Sequence, residues 1–279
     1  MTQHKTFRFT GLAGYNIFGQ SWQPEGDPRA VLLIAHGLAE HSGRYAHLGQ
    51  HLGGLGYSVY ALDHRGHGQS DGVRADVVRF EDFLTDLHTF LGLVKEQQPG
   101  KKVFLIGHSM GGAIATLFAA RHGAELSGLI TSGAGVKVGG QVSPLLIGLS
   151  RLVAAVAPRL PVVVLEAEAV SRDPEVVARY RSDPLNYLGK VRARMGVQLL
   201  RGGELALQEL PQIQLPALIL HGTADRLADP EGSQAIYDGV RSADKTLKFY
   251  QGLYHEIFNE PEQQQVFADM AAWLEARLS

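Results

Sequence analysis

The chain of 279 residues contains no cysteine. That excludes disulfides, thiolate nucleophiles and cysteine-ligated metals, and it fits a reducing compartment, so a cytoplasmic protein is expected. An excess of either charge is missing too. Lys and Arg total 26 against 28 Asp and Glu, which leaves no global field to attract nucleic acid or an anionic surface. No Lys/Arg run supplies a local one, and no nucleic-acid partner is expected. Residues 1–10 lack the apolar stretch of a secretory signal. A long hydrophobic run is also absent. Residues 141–165 carry only Arg151 and Arg159 but are broken by Pro144, Pro158 and Pro161, too interrupted for the ~20 apolar residues of a membrane span.

What is present is alternation. Short apolar runs at residues 30–35, 57–62, 103–106 and 126–131 are separated by helical patterns near 45–55 and 80–97 and after residue 109. This βαβ rhythm predicts an α/β fold with a mostly parallel, doubly wound sheet. Residues 5–10 and 15–22 flank Gly11-Leu12-Ala13-Gly14 and read as an antiparallel hairpin on one edge. The alternation stops near Gly135, and strands resume only at 216–220 and 246–250. The expected organisation is therefore a core of residues 1–135 and 211–279, with residues 136–210 inserted as a cap over the carboxyl edge of the sheet, where ligands bind in open α/β folds.

Gly107-His108-Ser109-Met110-Gly111 stands between the 103–106 run and the following helix. A G-x-S-x-G pentapeptide in strand–turn–helix context reads as a nucleophile elbow, which lifts the Ser109 hydroxyl out of the sheet. The bland alternative is a Gly-rich turn with a capping serine. A serine hydroxyl needs a general base and an acid that orients it, and in this architecture they follow in the order acid, then histidine, after later strands. Asp225 follows the 216–220 run and His255 follows the 246–250 run. His36, His64, His67 and His108 precede or adjoin Ser109 and break that order. His221 is expected to pack or hydrogen-bond beside Asp225. Asp229, before Pro230, reads as an N-cap and Asp244 as a turn residue. A tetrahedral oxyanion needs two N–H donors, and Met110 and Leu38 are the candidates. His64 to His67 lack carboxylates at ligand spacing apart from Asp63 and Asp71, so neither a metal nor a cofactor is expected.

The blocks His36-Gly37-Leu38-Ala39-Glu40-His41-Ser42-Gly43-Arg44-Tyr45, Asp63-His64-Arg65-Gly66-His67-Gly68-Gln69-Ser70, Ser182-Asp183-Pro184-Leu185 and Gly252-Leu253-Tyr254-His255 join the elbow and the His221–Leu227 block. Together they make the chain resemble the monoacylglycerol lipases of the α/β-hydrolase superfamily nearly end to end. The resemblance implies a catalytic triad of Ser109, Asp225 and His255, oxyanion donors Leu38 and Met110, and a polar pocket for the glycerol end that includes Glu40, Arg44 and Tyr180. It implies hydrolysis of a lipid ester, monoacylglycerol, to fatty acid and glycerol through an acyl-serine. A broader carboxylesterase or lysophospholipase with the same triad is the alternative, and a catalytically silent ligand-binding fold is a further one. Animal relatives carry a second histidine three residues after the catalytic one; here that position is Phe258. In the inserted segment, Leu145, Leu146, Ile147, Leu149, Leu152, Val153 and Val156, followed by residues 162–165, form an apolar stripe. Such a stripe is ordinary core, or it lines an acyl tunnel and rests loosely on a lipid surface.

Overall fold

The computed structural model describes residues 2–137 and 152–278. Leu145, Leu146, Ile147 and Leu149 of the expected stripe lie outside the described residues. The hairpin pairs β1 (Gln3–Thr10) with β2 (Asn16–Gln23), register Gln3 to Gln23 and Thr10 to Asn16. It edges an eight-stranded sheet in the order β1-β2-β4-β3-β5-β6-β9-β10. The other strands are β3 (Val31–Ala35), β4 (Ser58–Leu62), β5 (Val103–His108), β6 (Gly128–Ser132), β9 (Ala217–Gly222) and β10 (Lys245–Tyr250), and from β4 to β10 they run parallel.

Strand alternation explains why helices cover both faces. On β3, Leu33 joins a core with α2 (Glu81–Gln97) and α3 (Met110–His122), through Phe83, Phe90, Ile114 and Phe118. Its neighbours Leu32 and Ile34 join the opposite core with α1 (Ala46–Gly54) and α7 (Gln263–Glu275), through Leu48, Phe267 and Trp273. Buried on both faces, the central strands read as continuous apolar runs rather than alternating ones. The last helix, α7, starts without a side-chain cap.

Between β6 and β9 the described residues form α4 (Pro174–Ser182), α5 (Ala193–Glu209) and a small antiparallel sheet of β7 (Pro161–Val163) with β8 (Val191–Arg192). This small sheet was not expected, because residues 161–163 are three apolar residues without alternation. Helix α5 packs on α3, which is buried almost all round because the inserted segment covers the side that the sheet does not. Helix α6 (Pro230–Gly239) follows β9. Among the described residues no helix is long and apolar enough to cross a membrane.

Candidate active site

Parallel strands put their carboxyl ends on one edge, and the sequence-predicted residues follow those ends: Leu38 after β3, Ser109 after β5, Asp225 after β9 and His255 after β10. Ser109 takes φ 55° and ψ −120°, outside the regions that L-residues prefer. Such strain costs ~1–3 kcal/mol and persists because the surroundings over-determine it. The Ser109 N–H donates to the Ser132 carbonyl at 3.0 Å, and its own carbonyl accepts from Gly112 at 2.9 Å and Gly135 at 2.8 Å. Close approach explains the flanking glycines: a Cβ at Gly107 would lie 2.3 Å from the Gly111 carbonyl oxygen, and one at Gly111 2.0 Å from that of Ala35.

The Asp225 carboxylate can only accept, so both histidines facing it must donate. His255 Nδ1 lies 2.6 Å and His221 Nε2 3.0 Å from Asp225 Oδ2, while Oδ1 accepts from the Leu227 and Ala228 N–H groups at 2.8 and 3.0 Å. Burial would raise the Asp225 pKa, but the charge and hydrogen bond of His255 with the His221 bond outweigh it and hold the carboxyl well below its usual range. His255 is buried, which disfavours its charge, yet Asp225 beside it, with Glu256 and Glu40, shifts its pKa above the ordinary value. With Nδ1 committed to Asp225, the His255 Nε2 is left to act as acceptor. Ser109 and His255 line the same cavity, of about 130 Å³. No hydrogen bond joins the Ser109 hydroxyl to His255 here; such bonds are often long before substrate binds and tighten with it.

The competitors separate cleanly. His108, with its ring 4.7 Å from that of His255, is pushed down to about 4 by burial and by the neighbouring imidazole, and its Nδ1 meets the Ser132 carbonyl at 3.0 Å. It stays neutral and occupied. Asp229 caps α6 by accepting from the Glu231 N–H at 2.9 Å, and Asp244 pairs with Arg277. His36, His64 and His67 are fully buried as a group behind the β3 loop. Among the described residues one group has metal-ligand geometry, His88, His122 and Glu125. It includes the last residue of α3, whose 13 residues span ~20 Å from Ser109 at the other end.

Met110 is the first residue of α3, so its N–H has no acceptor one turn back in that helix. The Leu38 N–H meets no acceptor among the described residues. Both residues line the cavity with Ser109. One wall beside them is polar. Arg44 Nη1 donates to Glu40 Oε2 at 2.9 Å, and the guanidinium grips Glu256 through two bonds of 2.5 and 2.7 Å. The Arg44 guanidinium lies 4.7 Å over the Tyr180 ring. Glu256 was missed in the sequence, where an acid after a histidine looks like any surface charge. Burial raises its pKa, but the Arg44 pair dominates and brings it below the usual value. The Tyr180 hydroxyl makes no hydrogen bond with any described residue, though the side chain is buried and lines the cavity. Leu165, Val170, Leu199 and Leu227 supply an apolar part of the lining. Phe258 is packed in the core between Phe267 and His108, not in the cavity wall.

The model of the serine aminopeptidase S33 family matches residues 26–262. The chain belongs to that family, with the α/β-hydrolase fold. It is 43% identical over 270 residues to a monoacylglycerol lipase of Mycolicibacterium smegmatis, covering 97% of this chain and 96% of that one. It is 36% identical over 277 residues to the human monoglyceride lipase, covering 95% of this chain and 88% of the relative. Among solved structures, a monoacylglycerol lipase of Paleococcus ferrophilus superposes with a TM-score of 0.82 at 30% identity over 99% of both chains.

Proposed function

We propose that this serine hydrolase cleaves monoacylglycerols to fatty acid and glycerol. Ser109 attacks the ester carbonyl, His255 takes its proton and returns it to the leaving glycerol, and Asp225 holds the imidazole in the tautomer this requires. The Leu38 and Met110 N–H groups receive the oxyanion. Water, activated by the same His255, then releases the acyl group.

The observation that carries the choice of alcohol is the polar wall. The Tyr180 side chain is buried and its hydroxyl makes no hydrogen bond with any described residue, which supports a hydrogen bond from it to a substrate hydroxyl, with Arg44 and Glu40 behind it. A monoacylglycerol brings two free hydroxyls to that end. A triacylglycerol brings acyl chains and leaves the Tyr180 hydroxyl without a partner, at ~1–3 kcal/mol. That alone supports roughly a 10- to 100-fold preference. Residues 136–210 act in this reading as a cap. Its exposed apolar residues Leu152, Val156, Leu160 and 162–164 form a rim that rests loosely on the lipid supplying the substrate.

Rates on monoacylglycerol, triacylglycerol, lysophosphatidylcholine and a p-nitrophenyl ester test it. The expected result is a kcat/KM at least 10-fold higher for monoacylglycerol than for the other two lipids. Tyr180→Phe should lower the monoacylglycerol value while sparing the p-nitrophenyl ester. Comparable values for mono- and triacylglycerol would favour a general esterase.

A further inference from the structure

Glu40 lines the cavity, but both oxygens of its carboxylate are already engaged from within the protein. Oε1 accepts from the Gly37 N–H at 2.6 Å and the Tyr45 hydroxyl at 2.7 Å, and Oε2 accepts from Arg44 at 2.9 Å. The side chain reaches back to Gly37 because Ala39 adopts φ 64°, a left-handed turn that an alanine takes only when its surroundings impose it. One of those surroundings is the inserted segment, whose Tyr187 N–H donates to the Ala39 carbonyl at 2.9 Å.

The other side of Gly37 is held as well. His36 Nε2 accepts from the His64 N–H at 2.9 Å, so the ring proton is on Nδ1, which donates to the Gly37 carbonyl at 2.7 Å. Burial pushes the His36 pKa down to about 4, so this neutral tautomer persists at neutral pH. The C=O and N–H of one trans peptide point in opposite directions. A Gly37 carbonyl drawn to His36 therefore turns the Leu38 N–H away from it, and that N–H is left without an acceptor among the described residues, in the wall that also carries Ser109.

We infer that Glu40 is a positioning residue for the oxyanion hole: by anchoring the Gly37 N–H it fixes the peptide just before the one that presents the Leu38 N–H, so that Glu40 and His36 hold the two peptides flanking Gly37 from either side, and it does so for every ester, whatever its alcohol. This rests on the acyl-serine reading of Ser109, Leu38 and Met110. It differs from a Glu40 that recognises glycerol, because a carboxylate already accepting three donors has little capacity left for a substrate hydroxyl.

The test compares wild type with Glu40→Ala, Glu40→Asp and Glu40→Gln on monoacylglycerol and on p-nitrophenyl acetate. It also measures affinity for an alkyl trifluoromethyl ketone, which forms a tetrahedral adduct with a serine, and the melting temperature. Loss of one oxyanion donor typically costs ~10²-fold or more. Glu40→Ala should therefore lower kcat on both esters by about that factor, raise the ketone's inhibition constant in parallel and change KM little. Glu40→Asp keeps the charge beside Arg44 but shortens the arm that reaches Gly37, and it should lose kcat and ketone affinity together. This holds the inference to account even where the alanine variant fails to fold. Glu40→Gln retains an acceptor oxygen for Gly37 and should recover most of the loss. A defect confined to monoacylglycerol and expressed in KM would overturn the inference in favour of alcohol binding. A lower melting temperature with unchanged ketone affinity would reduce Glu40 to a structural role and overturn it too. A wild-type chain inactive on both esters would instead defeat the acyl-serine reading and the inference with it.

Discussion

The carboxyl edge of the sheet and the inserted segment treat polarity in opposite ways. At the edge, charged and polar side chains are buried and paired: Asp225 accepts from two histidines and two backbone N–H groups, and Glu40 and Glu256 share Arg44. On the insertion, apolar side chains face water. Val156 is 78% exposed, and all of β7 is exposed where a half-buried strand would alternate. A buried carboxylate without partners costs far more than an exposed valine, so the edge is determined from within the chain. The apolar side chains of the insertion, by contrast, stand exposed to solvent.

The sharpest way to break the comparison is at the edge itself. Ser109→Ala should abolish ester hydrolysis and leave the melting temperature close to wild type or above it, since alanine carries the same backbone strain and only the hydroxyl is lost. Labelling with a fluorophosphonate probe, read by mass spectrometry, should give one adduct, on Ser109. A second labelled serine, or an active alanine variant, would remove the nucleophile from this site.

Next in size is the acid. Asp225→Asn offers His255 an amide that donates as well as accepts, which permits the wrong imidazole tautomer. A loss of ~10⁴-fold in kcat is expected, with KM little changed. Asp229→Asn alters a helix cap and should leave kcat within a few-fold. An exchange of these two outcomes would name Asp229 as the orienting acid.

The buried histidines sharpen the contrast through pH. His36 and His108 are pushed down to about 4 and His67 to about 3, in each case mainly by burial. Their unfolded value is near 6.5, so between there and about 4 the unfolded chain binds more protons than the folded one. Stability is therefore complete above about pH 6.5 and falls as pH drops, by at most ~1.4 kcal/mol per histidine per pH unit. His255 works the other way, because its raised pKa favours the folded state at low pH and that contribution fades as pH rises through it. One such group does not offset three. Urea midpoints should fall steadily from pH 7 to pH 5, and a flat profile would mean that the cluster is hydrated.

How much of this was legible follows the same divide. The elbow was readable because backbone crowding at Gly107 and Gly111 leaves no choice of residue, and the order Ser109, Asp225, His255 follows from strand ends on a common edge. The expected hairpin, parallel sheet and Asp229 cap match the structure for similarly local reasons. Glu256 and the Gly37 anchor of Glu40 were not readable as interactions. Each depends on contacts between loops distant in sequence, such as Arg44 with Glu256, 212 positions apart. The small sheet of β7 and β8 was missed because its exposed face carries the residue types of a buried one.

That exposed face gives the smallest expected effect. Leu160, Val162, Val163 and Val164 are each about half exposed, at 48, 44, 56 and 54%. In water their exposure gains nothing, whereas partial burial of one such side chain in a lipid interface contributes ~1 kcal/mol, roughly a 5-fold change in partitioning. An aspartate there removes that contribution and adds the cost of bringing a charge to the interface. Val156→Asp and Val163→Asp should therefore reduce vesicle binding and turnover of long-chain monoacylglycerol in vesicles by about 10-fold. Both lie on surface already in water, so folding should be unaffected, and hydrolysis of a soluble short-chain ester should stay at the wild-type rate because that substrate reaches Ser109 without crossing a lipid interface. Equal loss on both substrates by a normally folded variant would place these residues in the packing around the cavity and erase the distinction between the rim and the edge.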